Sequence, residues 1–470
     1  MAKIHLLVLF VFTCSTCSDA IWNPYKNLIR GSASPRRSGE SGEPLFLTPL
    51  LQDGKIAEAR NRARVDLPMM SAVESYSGFM TVDSKFNSNL FFWYVPAQNN
   101  RENAPLLVWL QGGPGASSLF GMFEENGPFF VQTNNTLKQR EYSWHQNHHM
   151  IYVDNPVGTG FSFTDSEEGY ATNEEQVGEN LMKFIHQFFV MFPNLLTHPF
   201  YIAGESYGGK YVPAFAYAMH TSQDQPKINL QGLAIGDGYT DPLNQLNYGE
   251  YLYELGLVDM NGRQKFDQDT AAAIECAKRK DMQCANRLIG GLFDGVDGQD
   301  SFFKRVTGFS SYYNYVQGDE CNSQNSALVE FLSNPEVRKA IHVGERPFND
   351  SDGDNKVAEK LSDDTLETVA PWVGKLLSHY RVLFYNGQLD VICAYPMTVN
   401  FLMKMPFDGD NEYKRAVREI YRVDGEVAGY KKKAGRLQEV MIRNAGHMVP
   451  RDQPKWAFDM ISSFTHKGSL

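Results

Sequence analysis

Short apolar runs, each closing on glycine or a turn residue, recur through the first half of the chain and return near its end. "YSGFMTV" (76–82) and "LFFWYVP" (90–96) flank the polar stretch "DSKFNSN" and predict a β-hairpin. "PLLVWL" (105–110), "HMIYVDNP" (149–156), "FYIAGES" (200–206) and "LQGLAIGDG" (230–238) are continuous rather than alternating, as expected of strands buried on both faces. Between them, "EEQVGENLMKFIHQFFVMF" (174–192) is apolar at helical spacing and acidic at its start. Strand, helix, strand, helix predicts a parallel doubly wound sheet. Residues 241–365 lose the strand pattern and read as helices and polar loops. "RVLFYNGQLD" (381–390) and "LQEVMIRNAGH" (437–447) restore it, and "PKWAFDMISSFT" closes with a helix begun by Pro454.

The start of the chain has a different texture. Lys3 precedes an apolar stretch from Ile4 to Phe12, and small and polar residues run on to Ala20, the pattern of a secretory signal over 1–20. Residues 21–70 read as a leader or propeptide, mobile over "GSASPRRSGESGEP" (31–44), with a short helix in "KIAEARNRARV" (55–65). The apolar stretch is too short for a membrane anchor, and no later segment supplies one. A secreted or lysosomal/vacuolar destination follows, and sequons at Asn134 and Asn349 would then be open to glycosylation.

Net charge of −11 argues against a nucleic-acid partner. The basic run Lys431-Lys432-Lys433 reads as a solvated turn. Outside the signal segment four cysteines remain, Cys276, Cys284, Cys321 and Cys393. Their pairing is not legible from spacing; Cys276 with Cys321, both inside the insertion, is the expected bridge.

One stretch carries chemistry. "GESYGG" (204–209) places Ser206 between Gly204 and Gly208, after the strand "FYIAG" and before the helical "KYVPAFAYAMH". That is the strand–turn–helix context of a nucleophile elbow, whose tight turn leaves no room for flanking Cβ atoms. A serine hydroxyl needs a base, and the base an orienting acid, in the chain order Ser, Asp, His. Asp390 ends one later strand and His447 follows the next. The oxyanion needs two N–H donors: one from Tyr207, the other from the glycine loop "WLQGGPGASS" (109–118). No Gly-Lys-Ser/Thr follows that loop, so it is a poor phosphate cradle, and "HQNHH" (145–149) lacks the glutamate and spacing of a zinc helix. No cofactor or metal is called for.

With these residues in view, the chain resembles the serine carboxypeptidases, and more closely the vitellogenic carboxypeptidase-like group. The segments are "VWLQGGPGASS", "ENGPF", "IYVDNPVGTGFS", "AGESYGGKYVP", "AIGDGYTDP", "YNGQLDVIC" and "AGHMVPRDQP", spread from about residue 76 to the C-terminus. The resemblance implies an α/β-hydrolase fold, with core segments 71–240 and 366–470 around a helical cap at 241–365. It implies Ser206, Asp390 and His447 as the triad and the N–H groups of Gly113 and Tyr207 as the oxyanion hole. It also implies that Gln111, the Gly112 N–H, Glu125 and Glu205 hold the terminal carboxylate of a peptide substrate. Two neighbouring glutamates share a proton, which suits an acidic compartment. Gln111 stands where the wider family commonly has asparagine, one methylene longer, which puts its contact in question. Ala116 replaces a cysteine often found in that loop, so the corresponding disulfide is absent. The expected activity is removal of the C-terminal residue through an acyl-enzyme. An acyltransferase or esterase using the same triad is the alternative, and a binding protein that keeps the fold without catalysis is the rival of another class.

Overall fold

The apolar runs pair edge to edge in a computed structural model whose described residues are 41–296, 298–318, 325–349 and 355–470. The expected signal segment and residues 21–40 lie outside these. The strands in chain order are β1 (Tyr76–Asp83), β2 (Ser88–Val95), β3 (Leu106–Leu110), β4 (Phe129–Val131), β5 (Leu137–Gln139), β6 (His149–Val153), β7 (Phe200–Glu205), β8 (Leu230–Gly236), β9 (Arg381–Gly387), β10 (Glu419–Val423), β11 (Glu426–Ala434) and β12 (Leu437–Ile442). Ten form one sheet in the order β1-β2-β6-β3-β7-β8-β9-β12-β11-β10, while β4 and β5 form a small separate hairpin. Every pair from β6 through β12 in that order is parallel. Antiparallel hairpins close both ends.

Parallel pairing requires crossovers, and helices supply them. Helix Glu174–Met191 is capped by Asn173, whose side chain accepts the Gln176 N–H at 3.0 Å, and it buries Val177, Leu181, Phe184, Ile185 and Phe188 along one stripe. Helix Gly208–Thr221 leaves the candidate elbow and contains Pro213, which has no N–H for the Gly209 carbonyl. Thr240 Oγ1 donates to that carbonyl at 3.0 Å instead, tying the helix to the loop after β8.

Residues 41–70 are integrated rather than trailing. Leu47 N–H donates to the Phe79 carbonyl and Phe79 N–H to Leu45, both at 2.9 Å, and Leu45, Leu47, Leu51, Ala59, Ala63 and Leu67 join the core. Between β8 and β9 the described residues hold helices and loops, with an isolated bridge from Asn349 to Gly160. Asn134 and Asn349 are both exposed, the former in the β4–β5 turn; residues 350 and 351 of the second sequon lie outside the described residues.

Two sequence expectations are corrected. Lys431–Lys433 are not a turn but part of β11, paired with β12 on one side, where Lys432 covers the Tyr413 ring at 4.0 Å. The disulfide joins Cys276 to Cys284, not to Cys321. Helices Met260–Lys278 and Met282–Phe293 are folded back on each other by a turn at Lys280, with φ of 62°. Asp281 caps the second helix by accepting the Cys284 N–H, and this brings the two Cα atoms to 5.8 Å, within bridging range. Cys321 lies outside the described residues, and Cys393 is a buried thiol.

Candidate active site

Because the central strands are parallel and in register, their C-terminal ends line up. Leu110 pairs with Gly204, Glu205 with Gly236, Gly236 with Tyr385, and Gly387 with Ile442. Gln111, Ser206, Asp237, Asp390 and His447 each follow one of these ends, so residues up to 336 positions apart in the chain meet at one sheet edge.

Ser206 has φ of +59°, the strained left-handed turn of an elbow. Its N–H donates to the Gly236 carbonyl at 3.0 Å and its carbonyl accepts from Gly209 and Tyr239, each at 2.8 Å, so neighbouring strands hold the strain. A Cβ on Gly204 or Gly208 would fall 2.6 or 2.7 Å from the Leu110 carbonyl oxygen, which explains both glycines. A Cβ on Gly112 would lie 2.5 Å from the Tyr207 nitrogen, so the glycine loop sits directly against the elbow backbone. Asp154 fastens that loop: its Oδ1 accepts Ser117 Oγ at 2.6 Å and the Ser118 N–H at 3.1 Å. The expected oxyanion donors, the N–H groups of Gly113 and Tyr207, therefore belong to two abutting turns.

His447 Nδ1 lies 2.9 Å from Asp390 Oδ2, with both side chains fully buried. Asp390 also accepts the N–H groups of Ile392 at 2.9 Å and Cys393 at 3.2 Å. Those bonds orient its carboxylate and leave one lone pair directed at the imidazole.

Gln111 answers the question raised by its extra methylene. Trp109 Nε1 donates to its Oε1 at 2.8 Å, and its Nε2 donates to both Glu125 and Glu205 at 3.1 Å. One amide thus bridges the two buried glutamates, and Gly121 makes room for it, since a Cβ there would lie 2.1 Å from Trp109 Nε1. Burial holds the Glu125 carboxyl above the usual carboxylate range, while hydrogen bonds from Glu205 and Gln111 oppose the shift. With both buried carboxyls 3.1 Å from the same amide nitrogen, negative charge on both at once is disfavoured.

The sequence reading passed over Asp237. It is fully buried, and one of its carboxylate oxygens lies within 4.8 Å of Asp390 and His447 ligand atoms. The available signal was its position, one residue past the end of β8 at the same sheet edge as Ser206.

The central parallel strands, helical crossovers and edge constellation make this an α/β-hydrolase fold. The prohormone-processing carboxypeptidase Kex1 of Saccharomyces cerevisiae shares that fold, with a TM-score of 0.74 at 24% identity, over 87% of this chain and 96% of that one. A sequence model described as serine carboxypeptidase matches residues 67–467. Vitellogenic carboxypeptidase of Aedes aegypti is 83% identical over the full length of both chains. Venom serine carboxypeptidase of Apis mellifera is 50% identical over 91% of this chain and 92% of its own. A probable serine carboxypeptidase, CPVL, of Homo sapiens is 45% identical over 94% and 93%. The chain belongs to the serine carboxypeptidase family. It is a hydrolase that acts on peptides.

Proposed function

We propose that Ser206 is the nucleophile that removes the last residue of a peptide bearing a free C-terminal carboxylate. His447 takes the Ser206 proton as the hydroxyl attacks the scissile carbonyl carbon, and the C–N bond breaks as His447 returns that proton to the leaving amine. Asp390 holds the imidazole in the required tautomer through Nδ1–H. The Gly113 and Tyr207 N–H groups stabilise the oxyanion in each tetrahedral intermediate. Water activated by His447 then cleaves the acyl-enzyme.

What distinguishes this from other serine hydrolase chemistry is the carboxylate clamp. The Gly112 N–H and the protonated Glu125–Glu205 pair present donors where a substrate carboxylate would end, and Gln111, with both amide N–H groups given to the two glutamates, holds that pair in place. The Gln111 amide bridging both glutamates is the observation that carries this reading. The protein would work in the lumen of the secretory pathway or beyond it, with glycans at Asn134 and Asn349. The test is turnover of a peptide as free acid and as C-terminal amide, with labelling by an organophosphonate. Labelling at Ser206 with strong preference for the acid supports the assignment. Equal turnover of acid and amide would reject the clamp and favour esterase or acyltransferase chemistry.

A further inference from the structure

Asp237 has no part in the steps above, yet it is packed into the catalytic pair. Its N–H donates to the Tyr385 carbonyl at 2.8 Å, and its φ of 42° turns the side chain toward the end of β9. There Oδ1 accepts the Gly387 N–H at 2.9 Å. One oxygen of Asp237, one of Asp390 and a ring nitrogen of His447 all lie within 4.8 Å of one another, and all three side chains are fully buried. Two buried carboxylates this close cannot both carry charge. The hydrogen bonds decide which does. Asp390 faces two backbone N–H donors and the imidazole, whereas Asp237 has one backbone donor. The anion therefore resides on Asp390 and the proton on Asp237. The other titratable groups facing Asp237 are Glu125, Tyr385, Cys393 and Tyr251, and of the set only His447 can become a cation. Burial first, then the Asp390 charge, pushes the Asp237 carboxyl well above its usual range.

We propose that Asp237 is a positioning residue: as a neutral carboxylic acid it donates a hydrogen bond to Asp390 and holds that carboxylate against His447. A donor on Asp390 also spreads its negative charge, so protonated His447 is favoured less and activity persists to lower pH. This rests on Asp390 and His447 being the catalytic pair. Asp237→Asn keeps both contacts, with the amide oxygen accepting from Gly387 and the amide nitrogen donating to Asp390. Asp237→Ala removes both.

The experiment measures kcat and KM against pH for the parent and both variants, with Asp390→Asn and His447→Ala alongside. Asp237→Ala should lose about tenfold in kcat with KM unchanged, and the acid limb of its kcat/KM profile should rise by about half a pH unit. Asp237→Asn should stay within about threefold of the parent at every pH. Infrared difference spectra at pH 7 should show a protonated carboxyl band in the parent that Asp237→Asn lacks, a readout that stands even if the alanine variant fails to fold. A missing band, an asparagine variant as impaired as the alanine one, or an alanine variant with an unmoved acid limb each overturns the proposal. Full activity in Asp390→Asn and His447→Ala would instead overturn the catalytic assignment and the proposal with it.

Discussion

Raising the pH from about 5 to 8 should weaken binding of a free-acid peptide far more than of its amide, because the proposed carboxylate clamp depends on one proton. Glu125 is fully buried and its carboxyl lies above the ordinary glutamate value, so the Glu125–Glu205 pair keeps its shared proton in acid. The sign follows. Below the raised pKa the pair is singly charged and offers a donor; above it, two anions face a third, the substrate carboxylate. A hydrogen bond to a charged group contributes about 1.5–3 kcal/mol, so its loss corresponds to a rise in KM of about 10- to 150-fold. The amide carries no charge and should change severalfold at most. Glu124, pushed up to about 7 by burial, titrates in the same window, and the amide control subtracts its effect along with any on the triad. Glu205→Gln supplies a donor that needs no proton and should flatten the free-acid curve while weakening binding at low pH. The assay is KM against pH for both substrates and both proteins. Parallel acid and amide curves would refute the clamp while leaving the role of Ser206 intact.

Ser206→Ala should fold normally, since alanine removes one oxygen and keeps the backbone bonds of the elbow, and should lose on the order of 10⁴-fold in kcat; turnover within tenfold of the parent would refute the nucleophile. Unreduced tryptic mapping should yield Cys276 and Cys284 in one linked fragment, because Lys278, Arg279 and Lys280 offer cleavage sites between them. Opening so short a loop, with a sequence separation of 8, should cost about 2.5 kcal/mol by chain entropy, read as a lower urea midpoint for Cys276→Ser. His148 is fully buried between the Trp144 carbonyl and Thr465 Oγ1, and burial lowers its pKa to about 3. The unfolded chain takes up that proton near pH 6.5, so the stability from the neutral ring is complete above 6.5 and is lost as pH falls. The stability advantage of the parent over His148→Gln should therefore shrink by about 2 kcal/mol between pH 6.5 and 4.5, by denaturant titration at each pH. An advantage that does not change with pH would show that His148 titrates normally.

Local pattern and chain order determined much of this protein. The continuous apolar runs could be satisfied only as buried strands, and the glycines around Ser206 only as a tight turn, since both signals lie within a few neighbouring residues. Strand–turn–helix context and the chain order Ser, Asp, His pointed to the three triad positions, and the resemblance implied the clamp residues, whose identities are written in separate short segments. Pairing between distant segments was not legible. Lys431–Lys433 read as polar in isolation, and they are a strand because β12 and β10 flank β11 with open hydrogen-bonding edges. Cys284 became the partner of Cys276 through the angle of one interhelical turn, a geometry that cysteine spacing does not encode. Residues 41–70 looked like a leader by composition, yet β1 offers its free edge to Leu45 and Leu47. Asp237 and Asp390 are 153 positions apart and lie together because β8 and β9 are parallel neighbours whose ends coincide. Sheet order and register are set by the packing of the whole chain, and with them the charge and proton that each buried carboxyl carries.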